Sequence, residues 1–453
     1  MGAGIRTGIA ALLAAATLVA AQPAQATAAV ATTTLSMGGT FNPLSVPPQP
    51  SDWVGYYIDT MADKYVRDTG LCAAECTRVG VYTPEQMGWL SGLTTLSFDA
   101  SVAAGMANLD KCVRNTACVA TAPPYTHTTT TTLTDSGYVV FGYSQSGTIA
   151  SNEKAALIAD PTSATVSFVM FANPNRPNGG ILARVPGLYI PFLGVTFNGA
   201  TPTDSPQSAP LTTVDVVGQY DLMSDAPTNP VNLLAMINAV AGYHFVHRQP
   251  LSIGAPELQG QYQDSTYYLI PTPTLPMLIP IAMVPLIGPL IAGVLDPPLR
   301  VLVETAYDRT LNPGAPTMAN PLYFPNPVKV IGDFLTAIPT GWDNGIAYLT
   351  GDPANRPFGT TVQGVYGVGG PPVYAGAVDP YGPPTPYTPP VAPSAQIAAP
   401  TASTASSASA RAPRRVPHST GKRAGVTRPP SREDSRRESV SGRLRGSSVN
   451  ERG

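Results

Sequence analysis

Short apolar runs alternate with stretches of helical spacing through the first two thirds of the chain. Residues 138–141 (YVVF) are β-branched and aromatic and read as a buried strand. Thr148, Ile149, Ala150, Ala155, Ala156 and Leu157 then recur as one face of a helix beginning near Gln145. The same alternation predicts strands at Ala31–Ser36, 79–82, Thr165–Phe171 and 211–220, the last ending at Asp221. Thr83-Pro84-Glu85 reads as a cap with proline at the first helical position, and residues 97–113 read as a helix capped by Ser97 or Asp99, with Val102, Met106 and Leu109 on one face. Thr228-Asn229-Pro230 predicts a helix running through Ala241 whose packing side is Val231, Leu233, Leu234, Ile237 and Val240. Strands alternating with helices imply an α/β fold, a mostly parallel central sheet with helices on both faces.

The pattern then changes. Residues 267–303 are apolar but broken by Pro271, Pro273, Pro276, Pro280, Pro285 and Pro289, a density that forbids one continuous membrane helix. A Pro-rich cap or lid of short helical pieces over a cleft is expected there, with irregular core as the alternative. The apolar, proline-broken residues 186–198 are expected to wrap the edge of the same cleft. Past Trp342 the periodicity fades. Residues 326–370 read as a C-terminal extension and residues 371–453, rich in Pro, Ala, Ser and then Arg, as a disordered tail.

Composition sharpens this in three places. The 50 Pro and 42 Gly exceed what a compact domain uses and belong to loops and tail. The net charge of -2 hides an asymmetry: residues 401–453 hold 12 Lys+Arg against 4 Asp+Glu, and residues 1–400 hold 14 against 24, a net of -10. That excludes nucleic acid as the partner of the folded part, while the basic tail suits contact with an anionic envelope surface. Residues 1–26 read as a signal peptide: Arg6, an apolar stretch over residues 9–21, and Ala24-Gln25-Ala26 as a small-x-small cleavage site. Export with cleavage after Ala26 is expected, giving a secreted or cell-envelope protein, with a retained anchor as the alternative. Four cysteines in an oxidising compartment imply disulfides, and the two local pairings, Cys72 with Cys76 and Cys112 with Cys118, close the shortest loops. No cofactor or metal motif stands out; a zinc site at these cysteines would lack histidines.

The turn at Gly142-Tyr143-Ser144-Gln145-Ser146 sits between strand and helix, where a serine becomes an exposed nucleophile. The strict elbow is G-x-S-x-G; here the glycine, Gly147, comes one place late. A serine nucleophile needs a base and an orienting carboxylate. Of four histidines, His127 precedes the serine in a Thr-rich loop and His418 lies in the tail, which leaves His244 and His247. His247 is the expected base, since Arg248-Gln249-Pro250 forms a loop able to bring it over the sheet edge. The acid is Asp221, at a strand end where open α/β sheets gather their sites; Asp225 is the alternative. Met37-Gly38-Gly39-Thr40 leaves the first strand as a Gly-rich loop, so Thr40 and the N–H of Gln145 form the candidate oxyanion hole, against the alternative of a plain turn.

Together the MGGT loop, the GYSQS turn, Gln219-Tyr220-Asp221 with Asp225-Ala226-Pro227, Asn229-Pro230, the segment from Ala241 to His247, and Tyr267 to Thr272 resemble the mycobacterial PE-PPE domain over residues 33–325. The resemblance implies an α/β-hydrolase fold similar to cutinases whose elbow accepts serine in its last position. Many members carry a helical PE or PPE module where this chain has its leader-like segment, so export by their specialised machinery is not expected. It also implies a serine esterase or lipase acting on acyl esters, or a cell-envelope acyltransferase with a trehalose glycolipid as acceptor. A non-catalytic envelope or adhesion protein that keeps the fold is the reading from a different class.

Overall fold

The computed structural model describes residues 31–370, apart from 93–94 and 251–252. The leader-like segment and the tail predicted from residue 371 lie outside the described residues. In chain order the elements are β1 (Ala31–Ser36), α1 (Ser51–Met61), β2 (Cys72–Val81), α2 (Phe98–Val113), β3 (Ala117–Thr121), β4 (Thr129–Thr132), β5 (Gly137–Tyr143), α3 (Gln145–Ala159) and β6 (Thr165–Phe171). Then come α4 (Ile181–Arg184), the two-residue strands β7 (Tyr189–Ile190) and β8 (Val195–Thr196), β9 (Thr213–Gly218), α5 (Leu233–Gly242), β10 (Glu257–Tyr262), β11 (Ser265–Ile270), α6 (Ile279–Ala282), α7 (Gly288–Glu304) and α8 (Pro327–Thr350).

One sheet carries the fold, in the order β10-β11-β9-β6-β5-β1-β2-β3-β4. From β11 to β2 all pairings are parallel, and β10, β3 and β4 close the edges antiparallel. The central strand β5 is buried at every position, which a parallel strand covered on both faces requires. Its side chains alternate between two cores. Tyr138 and Val140 pack with Leu109 of α2 and Ile149 and Leu157 of α3, while Val139, Phe141 and Tyr143 pack with Val54 and Ile58 of α1 and with Tyr65. This is the α/β-hydrolase-like fold expected from the pattern of runs. The local cysteine pairs also form, Cys72 with Cys76 and Cys112 with Cys118, with Cα atoms 5.9 and 5.2 Å apart.

Four local expectations need correction. Thr83-Pro84-Glu85 opens no helix, because Glu85 takes a left-handed φ of 52° and gives its carbonyl to the Phe41 N–H. The strand signal at 79–82 is only the end of the longer β2, whose first half, CAAEC, has no β-branched or aromatic residue to mark it as a strand. Asn229-Pro230 forms a turn, and α5 begins at Leu233 because the Asn232 side chain caps the Ala235 N–H. The packing side of α5 is also different: Leu233, Ile237 and Val240 are exposed, and Ala235, Asn238, Ala239 and Gly242 are buried. The approach is too close for large residues, since a Cβ on Gly242 would lie 2.0 Å from the Tyr220 carbonyl oxygen.

The fourth concerns the Pro-rich segment, where the expected short pieces hold only for residues 276–282. Beyond them α7 runs 17 residues. Pro289 lies in its first turn, where a missing N–H costs nothing. Pro298 has no N–H for the Val294 carbonyl, and α8 comes up against that oxygen through Gly341, where a Cβ would lie 2.1 Å away. Residues 326–370 pack into the same body: α8 lies along α7, and Val365 and Tyr366 join Val217 of β9 and Leu269 of β11. Among the described residues no helix is long and apolar enough to cross a membrane.

Candidate active site

Ser144 stands between the end of β5 and the start of α3 with φ 59° and ψ -117°. A non-glycine residue pays of order 1–3 kcal/mol for such a conformation, so its surroundings must enforce it. They do so through close backbone approach. A Cβ on Gly142 would lie 2.5 Å from the Ser146 carbonyl oxygen. Ser146 Oγ accepts the Tyr143 N–H at 2.8 Å and donates to the Tyr143 carbonyl at 3.1 Å, tightening the turn from within. The late Gly147 has its own duty, because a Cβ there would lie 3.2 Å from Asn173 Cα, where the helix meets the loop after β6.

His247 arrives from the other side of the site, on a π-helical turn, Tyr243–His247, that continues α5. A Cβ on Gly218 would lie 2.1 Å from Val246 Cγ1, so the end of β9 and this turn are in contact. The imidazole is buried between two rings, Tyr143 with centroids 5.5 Å away and Tyr243 at 5.2 Å. Tyr143 Oη also donates to the His247 carbonyl at 2.6 Å. The ring nitrogens then meet both partners: Ser144 Oγ lies 2.8 Å from Nε2, and Nδ1 lies 2.8 Å from Asp221 Oδ2. Asp221, just past β9, is fully buried and also accepts the Met223 N–H and the Ser224 hydroxyl.

Asp225 is held elsewhere. Arg309 grips both its oxygens at 2.7 and 3.1 Å, and Oδ2 accepts the Tyr220 N–H at 2.8 Å. His244 is exposed and meets the edge of Phe245. The structure therefore brings Ser144, His247 and Asp221 into one hydrogen-bonded chain and leaves Asp225 and His244 outside it.

The loop after β1 completes the surroundings. A Cβ on Gly39 would lie 2.9 Å from the Tyr143 ring and 3.4 Å from Ser144 Cβ, so the next residue, Thr40, borders the serine. In this loop the Phe41 N–H goes to Glu85 and the Asn42 N–H to the Gly39 carbonyl, leaving the Thr40 N–H, which none of the described residues accepts. The N–H of Gln145 opens α3 and is one of the donors a helix leaves without an internal partner. The Gln145 side chain ties the two together: Nε2 donates to Thr40 Oγ1 at 3.2 Å and to the Gln86 carbonyl at 3.0 Å, and Oε1 accepts Ser101 Oγ at 2.8 Å. Ser101 in turn accepts the Gln86 N–H at 2.9 Å.

Tyr143, Tyr243, Gln86 and Ser101 were not singled out from sequence. Tyr243 carried a signal, four residues before His247 on a helical path. Ser101 carried none, since it reaches Gln145 across 44 residues of chain. Among the described residues no group of His, Cys, Asp and Glu side chains is arranged to hold a metal ion.

The PE-PPE domain family matches residues 74–308. An uncharacterized PPE family protein of Mycobacterium tuberculosis, PPE42, is 36% identical over 298 residues, 63% of this chain and 46% of its own length. The esterase PE16 of the same organism is 34% identical over 331 residues, 68% of this chain and 56% of its own. The SL1278 acyltransferase Chp1, again from M. tuberculosis, is 29% identical over 257 residues, 54% of this chain and 56% of its own. The chain thus spans about half the length of the curated relatives it matches. No solved structure matches it. Because the family match runs over more than half of the 453 residues, the chain belongs to the PE-PPE domain family.

Proposed function

We propose that the protein is a serine esterase that cleaves acyl esters through an acyl-enzyme on Ser144. The observation that carries this reading is the unbroken path Ser144 Oγ, His247 Nε2, His247 Nδ1, Asp221 Oδ2, with both links at 2.8 Å. In this reading Ser144 Oγ attacks the ester carbonyl while its proton passes to His247 Nε2. Asp221 keeps the Nδ1 proton in place and stabilises the imidazolium. The N–H groups of Thr40 and Gln145 receive the negative oxygen of the tetrahedral intermediate. His247 then hands its proton to the departing alkoxide, leaving the acyl group on Ser144. Water, deprotonated by His247, resolves the ester. The esterase name of PE16 supports the same chemistry.

A second reading is favoured by the acyltransferase name of Chp1: a sugar hydroxyl, as in a trehalose glycolipid, takes the place of water in the last step. Action outside the cytoplasm, at the cell envelope, fits the leader-like segment and the two cysteine pairs.

Replacing Ser144 by Ala is expected to abolish covalent labelling by a fluorophosphonate probe and turnover of p-nitrophenyl esters; labelling that persists would overturn the assignment. No turnover by a folded wild-type protein across graded chain lengths would favour the non-catalytic reading. Incubation with acylated and free trehalose lipids, read by mass spectrometry, separates hydrolysis from transfer.

A further inference from the structure

Glu85 joins the two segments that frame Ser144. Its carbonyl accepts the Phe41 N–H at 2.8 Å, directly after Thr40, and its successor Gln86 gives its carbonyl to Gln145 Nε2 at 3.0 Å. Glu85 and Phe41 both have left-handed backbones, φ 52° and 72°, so two strained non-glycine residues are bonded to each other here. The side chain itself is 1% exposed. Thr83 Oγ1 donates to Oε1 at 2.5 Å, and Oε2 has no partner among the described residues. What faces it is neutral: the Tyr57 hydroxyl from α1, itself donating to the Met37 carbonyl, and beyond Gln86 the Ser101 and Gln145 side chains of α2 and α3. No described cation pairs with it. A solvated surface glutamate would need none of this; a buried, half-satisfied one is retained at a cost.

We propose that Glu85 is a positioning residue for the ester chemistry: its buried side chain, anchored by Thr83, fixes the left-handed turn whose main-chain carbonyls bond the Phe41 N–H and the Gln145 side chain, and so keeps Thr40 and Gln145 in register for the oxyanion. The proposal rests on the reading of Ser144 as nucleophile. Burial pushes the Glu85 carboxyl up to about 8, against the opposing Thr83 hydrogen bond. The acid is therefore neutral at pH 7 and charged above pH 8. An anion there meets no cation among the described residues, so its desolvation cost works against the buried side chain that fixes the turn. Activity thus falls as pH rises through about 8.

The test is the pH dependence, from 6 to 9.5, of fluorophosphonate labelling of Ser144 and of kcat/KM for a p-nitrophenyl ester, with the full chain. Wild type is expected to lose about tenfold per pH unit above the limb, the slope of one ionisation. Glu85→Ala is expected to lose tenfold or more at pH 7. Glu85→Gln, keeping shape and neutrality, recovers most of that loss and no longer falls above pH 8. Thr83→Val, which removes the bond favouring the anion, moves the limb upward and serves even if the Glu85 variants fail to fold. A wild-type profile flat to pH 9.5, or an unchanged limb in Glu85→Gln or Thr83→Val, overturns the proposal. Absence of Ser144 labelling at every pH overturns the esterase reading itself, and the proposal with it.

Discussion

Two aspartates four residues apart have separate employments. Asp221 is bonded to the imidazole and Asp225 to a guanidinium, and substitution should separate them. Asp221→Asn is expected to lower kcat by about 10⁴-fold, because an amide in its place favours the wrong imidazole tautomer. Asp225→Asn takes from the buried Arg309 guanidinium its bidentate carboxylate, leaving Glu304 as its ion-pair partner, and is expected to cost about 3 kcal/mol of stability, read from the urea midpoint. The position of Ser144 was legible because a strand, a turn and a helix are local patterns. The neighbourhood of Asp221 was legible because strand ends are. The separate work of Asp225 was not, since Arg309 is 84 residues away and no local pattern pairs them. The same applies to the Glu85 turn, where proline at a would-be helix start was outweighed by a hydrogen bond to a loop more than 40 residues upstream.

At the scale of elements, His247 depends on how closely α5 can approach the end of β9. Gly242 is the contact point, so Gly242→Ala is expected to push the π-turn away from Tyr220, lowering kcat/KM by tenfold or more while the far-UV circular dichroism stays unchanged. Helix periodicity misassigned the buried face of α5 for the same reason: at this spacing small residues pack, and the large ones are left outside. The exposed Leu233, Ile237 and Val240 run along the helix that leads to Tyr243, which stacks on His247. In α7, too, counting prolines was misleading. A proline in the first turn is harmless, and one whose orphaned carbonyl meets a glycine of the next helix is accommodated.

At the scale of the molecule the mostly parallel sheet was legible, because its central strands β5 and β6 are largely buried and read as mostly apolar runs. Strand order was not, since the pairings of β1 with β5, β6 with β9 and β9 with β11 join strands that do not follow one another in the chain. β1 pairs with β5 at Thr33 and Tyr138, and β9 with β11 across the whole of α5. The 2.8 Å contact of Ser144 with His247 likewise spans 103 residues. Chains with such separated pairings gain few contacts early and fold slowly. The Ser144–His247 contact is therefore expected to be among the last to form, and under the proposed function a fluorophosphonate probe doubles as a clock. When the oxidised protein is diluted out of denaturant, helical signal should return first. Ser144 labelling should recover later, in step with the near-ultraviolet signal of the packed aromatic core; labelling that recovered with the helical signal would mean the site assembles before the sheet is complete.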